Sequence, residues 1–306
     1  MISIKNLTHS IEKPILEHLN LELKKGEIQG IVGVSGAGKS TLLNLIAGFL
    51  DVQDGEILFE GKKIVGPSYK LVPGYEDIQL VNQNFALDLY HTVRENIRLK
   101  AEHLTAKDRE ELTEELLDLL ELKPLENRKA HVISGGEKQR LSLARALAKE
   151  PKVLLLDEPF SHLDVHLRSK LMNYLMKLRE VRKTSILMVT HNGMEAMAMC
   201  DTIHFLHQGK FVRTASPQDF YYHPRNKFEA SFFGEINQIT LNNKRILFRP
   251  NEYQLIGNQS SRVEVEFERA VFQGSYYANY FKVTQRTKVV LYSKTPLENL
   301  TEFYLN

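Results

Sequence analysis

The sequence predicts an α/β core followed by a small all-β module, on three observations. Short apolar runs alternate with helical patterns over the first two-thirds of the 306 residues. Val153 to Leu156 and Ser185 to Thr190 are unbroken apolar runs with β-branched members, the pattern of parallel strands buried on both faces. From about Gly234 the pattern changes. Arg245 to Phe248, Val263 to Phe272, Tyr276 to Val283 and Val289 to Tyr292 read as strands separated by turn residues, with no strong helix before the tail. A boundary near Phe233 divides the chain into domains 1–233 and 234–306.

Ile28 to Val32 is the first well-marked core strand, followed by a Gly-rich turn and a helix from Lys39 to Ala47, with Gly48 at the C-terminal cap. Thr105 to Leu122 forms a second helix. It places Leu112, Leu116, Leu119 and Leu120 on one face, with Thr105 and Asp108 at capping-box spacing and Pro124 as the stop. Hydrophobic residues make up 42% and charged residues 25%, ordinary for a water-soluble domain. Forty Lys and Arg against 38 Asp and Glu leave a net charge of +2, too small a basic surplus for a non-specific nucleic-acid binder. The single cysteine, Cys200, rules out an intrachain disulfide, fits a reducing cytoplasm, and reads as core packing. Neither a signal peptide nor a run of about 20 apolar residues is expected, so any service to a membrane passes through partners.

Gly33-Val34-Ser35-Gly36-Ala37-Gly38-Lys39-Ser40-Thr41 fits G-x-x-x-x-G-K-[ST] between a strand and a helix, the context of a phosphate loop. Its glycines let backbone N–H groups converge on one point, and the helix N-terminus adds positive potential. Lys39 would reach the β- and γ-phosphates, and the Ser40 hydroxyl would ligate Mg²⁺. Asp157 and Glu158 end a buried strand. Asp157 would orient Mg²⁺ through its water shell, and Glu158 would polarise the attacking water. In Ser134-Gly135-Gly136-Glu137-Lys138-Gln139-Arg140, Ser134 and Glu137 have capping-box spacing. The cap does not account for two consecutive glycines, which bare backbone N–H groups at a helix start and make a second anion site. A nucleotide already cradled by Gly33 to Ser40 does not need it, so this site suggests a nucleotide held by another copy of the chain.

Ser134-Gly135-Gly136 resembles the signature of ABC ATPases, and the order of the motifs around it is similar. Gln83 resembles the glutamine that senses Mg²⁺ and the attacking water. Ser161-His162-Leu163-Asp164 resembles the loop that contacts the opposite monomer, and His191 the switch histidine that bonds the γ-phosphate. The resemblance spans Met1 to about Phe233. It implies a P-loop NTPase core with the ABC helical subdomain, and two copies closing head-to-tail on two ATP molecules. Gly33 to Thr41, Gln83, Asp157, Glu158 and His191 would come from one chain, and Ser134, Gly135, Gly136 and Glu137 from the other. The family's adenine-stacking aromatic has no counterpart among His9, Ser10 and Ile11, and Asp88-Leu89-Tyr90-His91 replaces the family's Phe-Pro-His-Leu.

Thr214 to Pro224 with Phe228 to Gly234 is similar to the exit segment of importer ATPases for iron, polyamines, sulfate and sugars, and Arg249-Pro250-Asn251-Glu252 resembles the start of their OB/TOBE-like β module. The resemblance implies an ATPase at the inner face of the cell membrane, bound to permease subunits and supplied by an extracytoplasmic solute-binding protein. The alternative is an ABC ATPase of DNA repair or translation. Those commonly carry a long coiled coil, a zinc insert or two sets of motifs, and this sequence has none of these.

Overall fold

The computed structural model describes residues 1–82, 87–161 and 163–305. The chain divides into two compact units, Met1–Pro217 and Gln218–Asn306.

The first unit contains strands β1 (Ile2–Ile11), β2 (Lys13–Leu23), β3 (Ile28–Val32), β4 (Asp54–Phe59), β5 (Lys62–Lys63), β6 (Ile78–Val81), β7 (Val153–Asp157), β8 (Ser185–Thr190), β9 (Thr202–His207) and β10 (Lys210–Ala215). Its α-helices are α1 (Lys39–Ile46), α2 (Val93–Arg98), α3 (Ala106–Leu119), α4 (Gly135–Ala148), α5 (Val165–Arg182) and α6 (Gly193–Met199). The central sheet runs β10-β9-β3-β8-β7-β6, parallel throughout except for the antiparallel pair β9–β10. All residues of β7 and β8 are buried, as the unbroken apolar runs predict, and so are those of β3, Gln29 included. A second, antiparallel sheet, β2-β1-β4-β5, packs with α1 into one cluster that includes Leu7, Leu19, Ile31, Leu42, Leu155 and Val189. Each such fully buried aliphatic side chain contributes roughly 1.5–3 kcal/mol. Cys200 is buried where a Cβ on Gly30 would come 2.8 Å from its sulfur, so packing accounts for it.

α3 begins as its sequence predicts, with the Thr105 side chain accepting from the Asp108 N–H. It ends at Leu119, well before Pro124, because Glu121 enters the left-handed region at φ 54° and the Leu122 N–H bonds back to the Leu117 carbonyl.

Helix α7 (Pro217–Tyr222) starts at the last residue of the first unit; the second unit holds the rest of it, then helix α8 (Lys227–Phe232) and strands β11 (Asn237–Leu241), β12 (Lys244–Phe248), β13 (Arg262–Glu264), β14 (Glu266–Phe272), β15 (Tyr277–Lys282), β16 (Lys288–Ser293) and β17 (Glu302–Tyr304). The run read as one strand from Val263 to Phe272 is two, in different sheets, and the tail is a strand pairing with β13. Phe248, Phe281, Leu291 and Phe303 centre its core. Arg249 is 1% exposed and joins helices to strands: its guanidinium donates to the carbonyls of Tyr221, Ala230, Gly234 and Glu235 at 3.1–3.2 Å.

Candidate nucleotide site

β3, β8 and β7 lie side by side and parallel, so their C-terminal ends reach one edge of the sheet. That edge is where open α/β sheets bind ligands. β3 delivers the loop Gly33–Lys39, β7 delivers Asp157, and the residue after β8 is His191. Two glycines of the loop are required by geometry. A Cβ on Gly33 would stand 2.2 Å from the Leu206 carbonyl oxygen. Gly38 caps α1 at φ 98°, and a Cβ there would stand 2.7 Å from Leu16. Val34, Ser35, Gly36 and Ser40 are exposed, while Ala37, Gly38 and Lys39 are buried.

The Lys39 ammonium donates to the carbonyls of Gly33 (2.8 Å) and Val34 (2.9 Å), which holds the loop curled. Burial lowers its pKa, opposed by the charges of Glu158 and Asp157. The Asp157 carboxyl is 8% exposed, and burial raises its pKa. A hydrogen bond with Ser40 and the charge of Lys39 pull the other way, while Glu158 adds to the rise. This set — a serine hydroxyl beside a buried carboxylate — is hard-oxygen chemistry that suits Mg²⁺ shared with phosphate oxygens and water. Among the described residues no group of three or more His, Cys, Asp or Glu side chains forms a self-sufficient metal cage.

Glu158 stands at φ 50°, in the left-handed region, with its N–H donating to the Val189 carbonyl at 2.9 Å. Its Oε1 lies 3.0 Å from His191 Nδ1. An ionised carboxylate only accepts, so the shared proton is on Nδ1 and Nε2 is left for another partner. Gln83 and His162 lie outside the described residues.

The family of ABC transporters matches residues 16–161. Among solved structures, the chain is similar to the dimeric bacterial ABC transporter cassette MJ0796, at 30% identity and TM-score 0.64, covering 71% of this chain and 99% of that one. It is also similar to a post-hydrolysis dimer of the same cassette bound to ADP and phosphate, at 31% identity and TM-score 0.63, with the same coverage. A further likeness is to cbiO1 from Clostridium perfringens, part of the transporter complex cbiONQ, at 26% identity and TM-score 0.59, covering 71% of this chain and 89% of that one. The chain belongs to the ABC transporter family. It is an ATP-binding cassette that hydrolyses ATP, of the kind that energises ABC transporters.

In this cassette the Ser134–Glu137 capping box is fully formed. Ser134 Oγ accepts from the Glu137 N–H, and Glu137 Oε2 accepts from the Ser134 N–H at 2.6 Å. Gly135 and Gly136 need no glycine for their own packing, since a Cβ on either meets nothing within 4 Å, and neither has a positive φ. In the segment after β7, Leu163 is buried, Asp164 caps α5 by accepting from the Leu167 N–H, and Ser161 bonds back to the Glu158 carbonyl. Near the loop, Gln53 bonds both backbone groups of Ser10, His9 is buried, and Ile11 is 61% exposed at the β1–β2 turn.

Two contributors carry no local signal in the sequence. Asn96 is fully buried and donates to the carbonyls of Asp88 and Thr92, while Arg145 of α4 ion-pairs with Asp88 at 2.9 Å. Together they fix the segment Asp88–His91. Gln139 is legible only as part of the polar run after the glycines, and it bonds both Ser161 and the Glu158 carbonyl.

Proposed function

We propose that this cassette works as a head-to-tail dimer and powers a permease that imports a small solute or ion such as iron, a polyamine, sulfate or a sugar. Domain 1–233 would be the motor, and domain 234–306 a TOBE-like regulatory module. In each shared site Gly33 to Thr41 hold ATP, Glu158 takes the proton of the attacking water, and His191 turns Nε2 towards the γ-phosphate, with Gln83 in the role of sensing Mg²⁺ and the attacking water. Ser134, Gly135 and Gly136 of the partner close the site, with Glu137 fixing their helix start and Ser161 to Asp164 at the dimer contact. Ser40, Asp157 and Gln83 would hold Mg²⁺, which would supply charge neutralisation to the phosphates.

The observation that carries the shared-site reading is the pair of glycines at the start of α4 with open space above them. Helix propensity disfavours glycine there, and neither packing nor φ asks for it, so a body from outside the chain does. Support for the importer reading comes from Arg249, which binds the exit-like helices and the start of the β module into one unit. For the permease, the first unit offers a cavity of about 580 Å³ lined by Phe49, Val72 and Tyr75 and by the cations Lys70, Lys100 and Arg145. The adjoining Tyr69 and Leu71 are 79% and 101% exposed. Such a surface suits an amphipathic helix from a membrane subunit, which would hold the cassette on the cytoplasmic face of the membrane.

The test mixes two inactive variants, Lys39→Ala and Gly135→Asp. Shared sites give a mixed dimer in which one site carries both lesions and the other neither. Hydrolysis is therefore expected to reappear on mixing, to a fraction of wild type. A mixture as inactive as its components, or a fully active Gly135→Asp protein, would remove the shared site.

A further inference from the structure

We propose that Gln139 is a positioning residue that transmits closure at one ATP site to the catalytic glutamate of the other; this rests on the shared-site reading above. Gln139 lies on α4, one turn beyond Gly135 and Gly136, which face the partner's nucleotide. Its side-chain amide reaches back into its own chain, donating to Ser161 Oγ at 3.0 Å and to the Glu158 carbonyl at 3.4 Å. The same carbonyl accepts from Ser161 Oγ at 2.8 Å and from the Ser161 N–H at 3.2 Å.

Three donors therefore converge on the backbone oxygen of the one residue whose carboxylate faces His191. That residue holds a left-handed φ of 50°, a conformation that persists in a non-glycine residue only when its surroundings over-determine it. Two of the donors belong to Ser161, the next turn of the same loop. Gln139 alone comes from the signature helix, 19 residues away in sequence. A shift of α4 when Ser134 to Gly136 engage the partner's γ-phosphate therefore pulls on the Glu158 carbonyl, and through it on the carboxylate. Each chain's base would then be set by the nucleotide held on the partner's phosphate loop, giving the two sites positive cooperativity.

Gln139→Leu keeps the shape and removes both donors, and Gln139→Glu is isosteric and replaces donors with an acceptor. ATP affinity of the monomer should stay within about twofold for either, because neither touches the phosphate loop. The expected result is a kcat lower by on the order of tenfold and a Hill coefficient for ATP that falls to near one. Adding Ser161→Ala should lower kcat by less than about twofold further, because members of one network are not additive. A Hill coefficient equal to wild type in both variants overturns the proposal whatever kcat does, as do effects of Gln139→Leu and Ser161→Ala that multiply. Wild-type hydrolysis that is itself non-cooperative and independent of protein concentration would instead remove the shared-site reading.

Discussion

His204 shows how one side chain links packing to pH. It sits in β9 at 4% exposure, with Nδ1 2.8 Å from Thr214 Oγ1 and Nε2 3.0 Å from Gln29 Oε1. The Gln29 oxygen only accepts, so Nε2 carries the proton and the Thr214 hydroxyl donates to Nδ1. Burial pulls the imidazole from 6.5 down to about 4, with Glu27 opposing. The unfolded chain takes up a proton near 6.5 and the folded chain only near 4. Between those values the unfolded state binds more protons, so stability falls as the solution is acidified. At full extent the loss is about 3 kcal/mol. Urea midpoints for wild type should fall between about pH 7 and 4.5, and His204→Gln, a neutral side chain that still bonds, should flatten that fall. Equal pH slopes in the two proteins would show that another group is responsible.

At the scale of the element, α4 carries two demands that conflict. Its capping box and the buried residues Leu141, Ala144 and Leu147 favour a stable helix, while glycine at the first two positions weakens it. Gly136→Ala separates the demands, because the new methyl meets nothing in its own chain within 4 Å. The substitution should stabilise the cassette by roughly 0.5–1 kcal/mol and raise Tm by about 2 °C. On the proposed shared site hydrolysis should nonetheless fall by on the order of tenfold, since the methyl would occupy the space that a partner's phosphate would need. A calorimetric scan beside an ATPase assay checks both. A variant both more stable and fully active would mean that no phosphate approaches this helix start.

At the scale of the molecule, each of the two units has its own hydrophobic cluster. The second unit depends on one buried cation. Burial lowers the pKa of Arg249, and its guanidinium lies 4.3 Å from the centre of the Tyr221 ring while serving four carbonyls. Arg249→Leu would leave those carbonyls short of donors, at a cost of about 2–4 kcal/mol. Hydrogen exchange should show protection lost in α8 and β11 but kept in β3 and β7. Uniform loss across both units would contradict the assignment of Arg249 to the second unit's stability alone.

The sequence by itself determined the Gly-rich turn between β3 and α1, the buried strands of the central sheet, the caps at Ser134 and Thr105, and the position of Asp157–Glu158 at the end of β7. Each depends on periodicity or on hydrogen bonds within a few residues, which spacing encodes directly. Tertiary structure decided what lies between elements. The order β3-β8-β7 brings His191 to Glu158 across 33 positions of chain. Docking of α4 against the segment that follows β7 brings Gln139 to Ser161 across 22. The left-handed Glu121 ends α3 before the proline is reached. Arg249 sits inside the second unit because carbonyls from three separate segments converge on it. No local pattern specifies such pairings, because their partners are chosen by the packing of whole elements and not by neighbours in sequence.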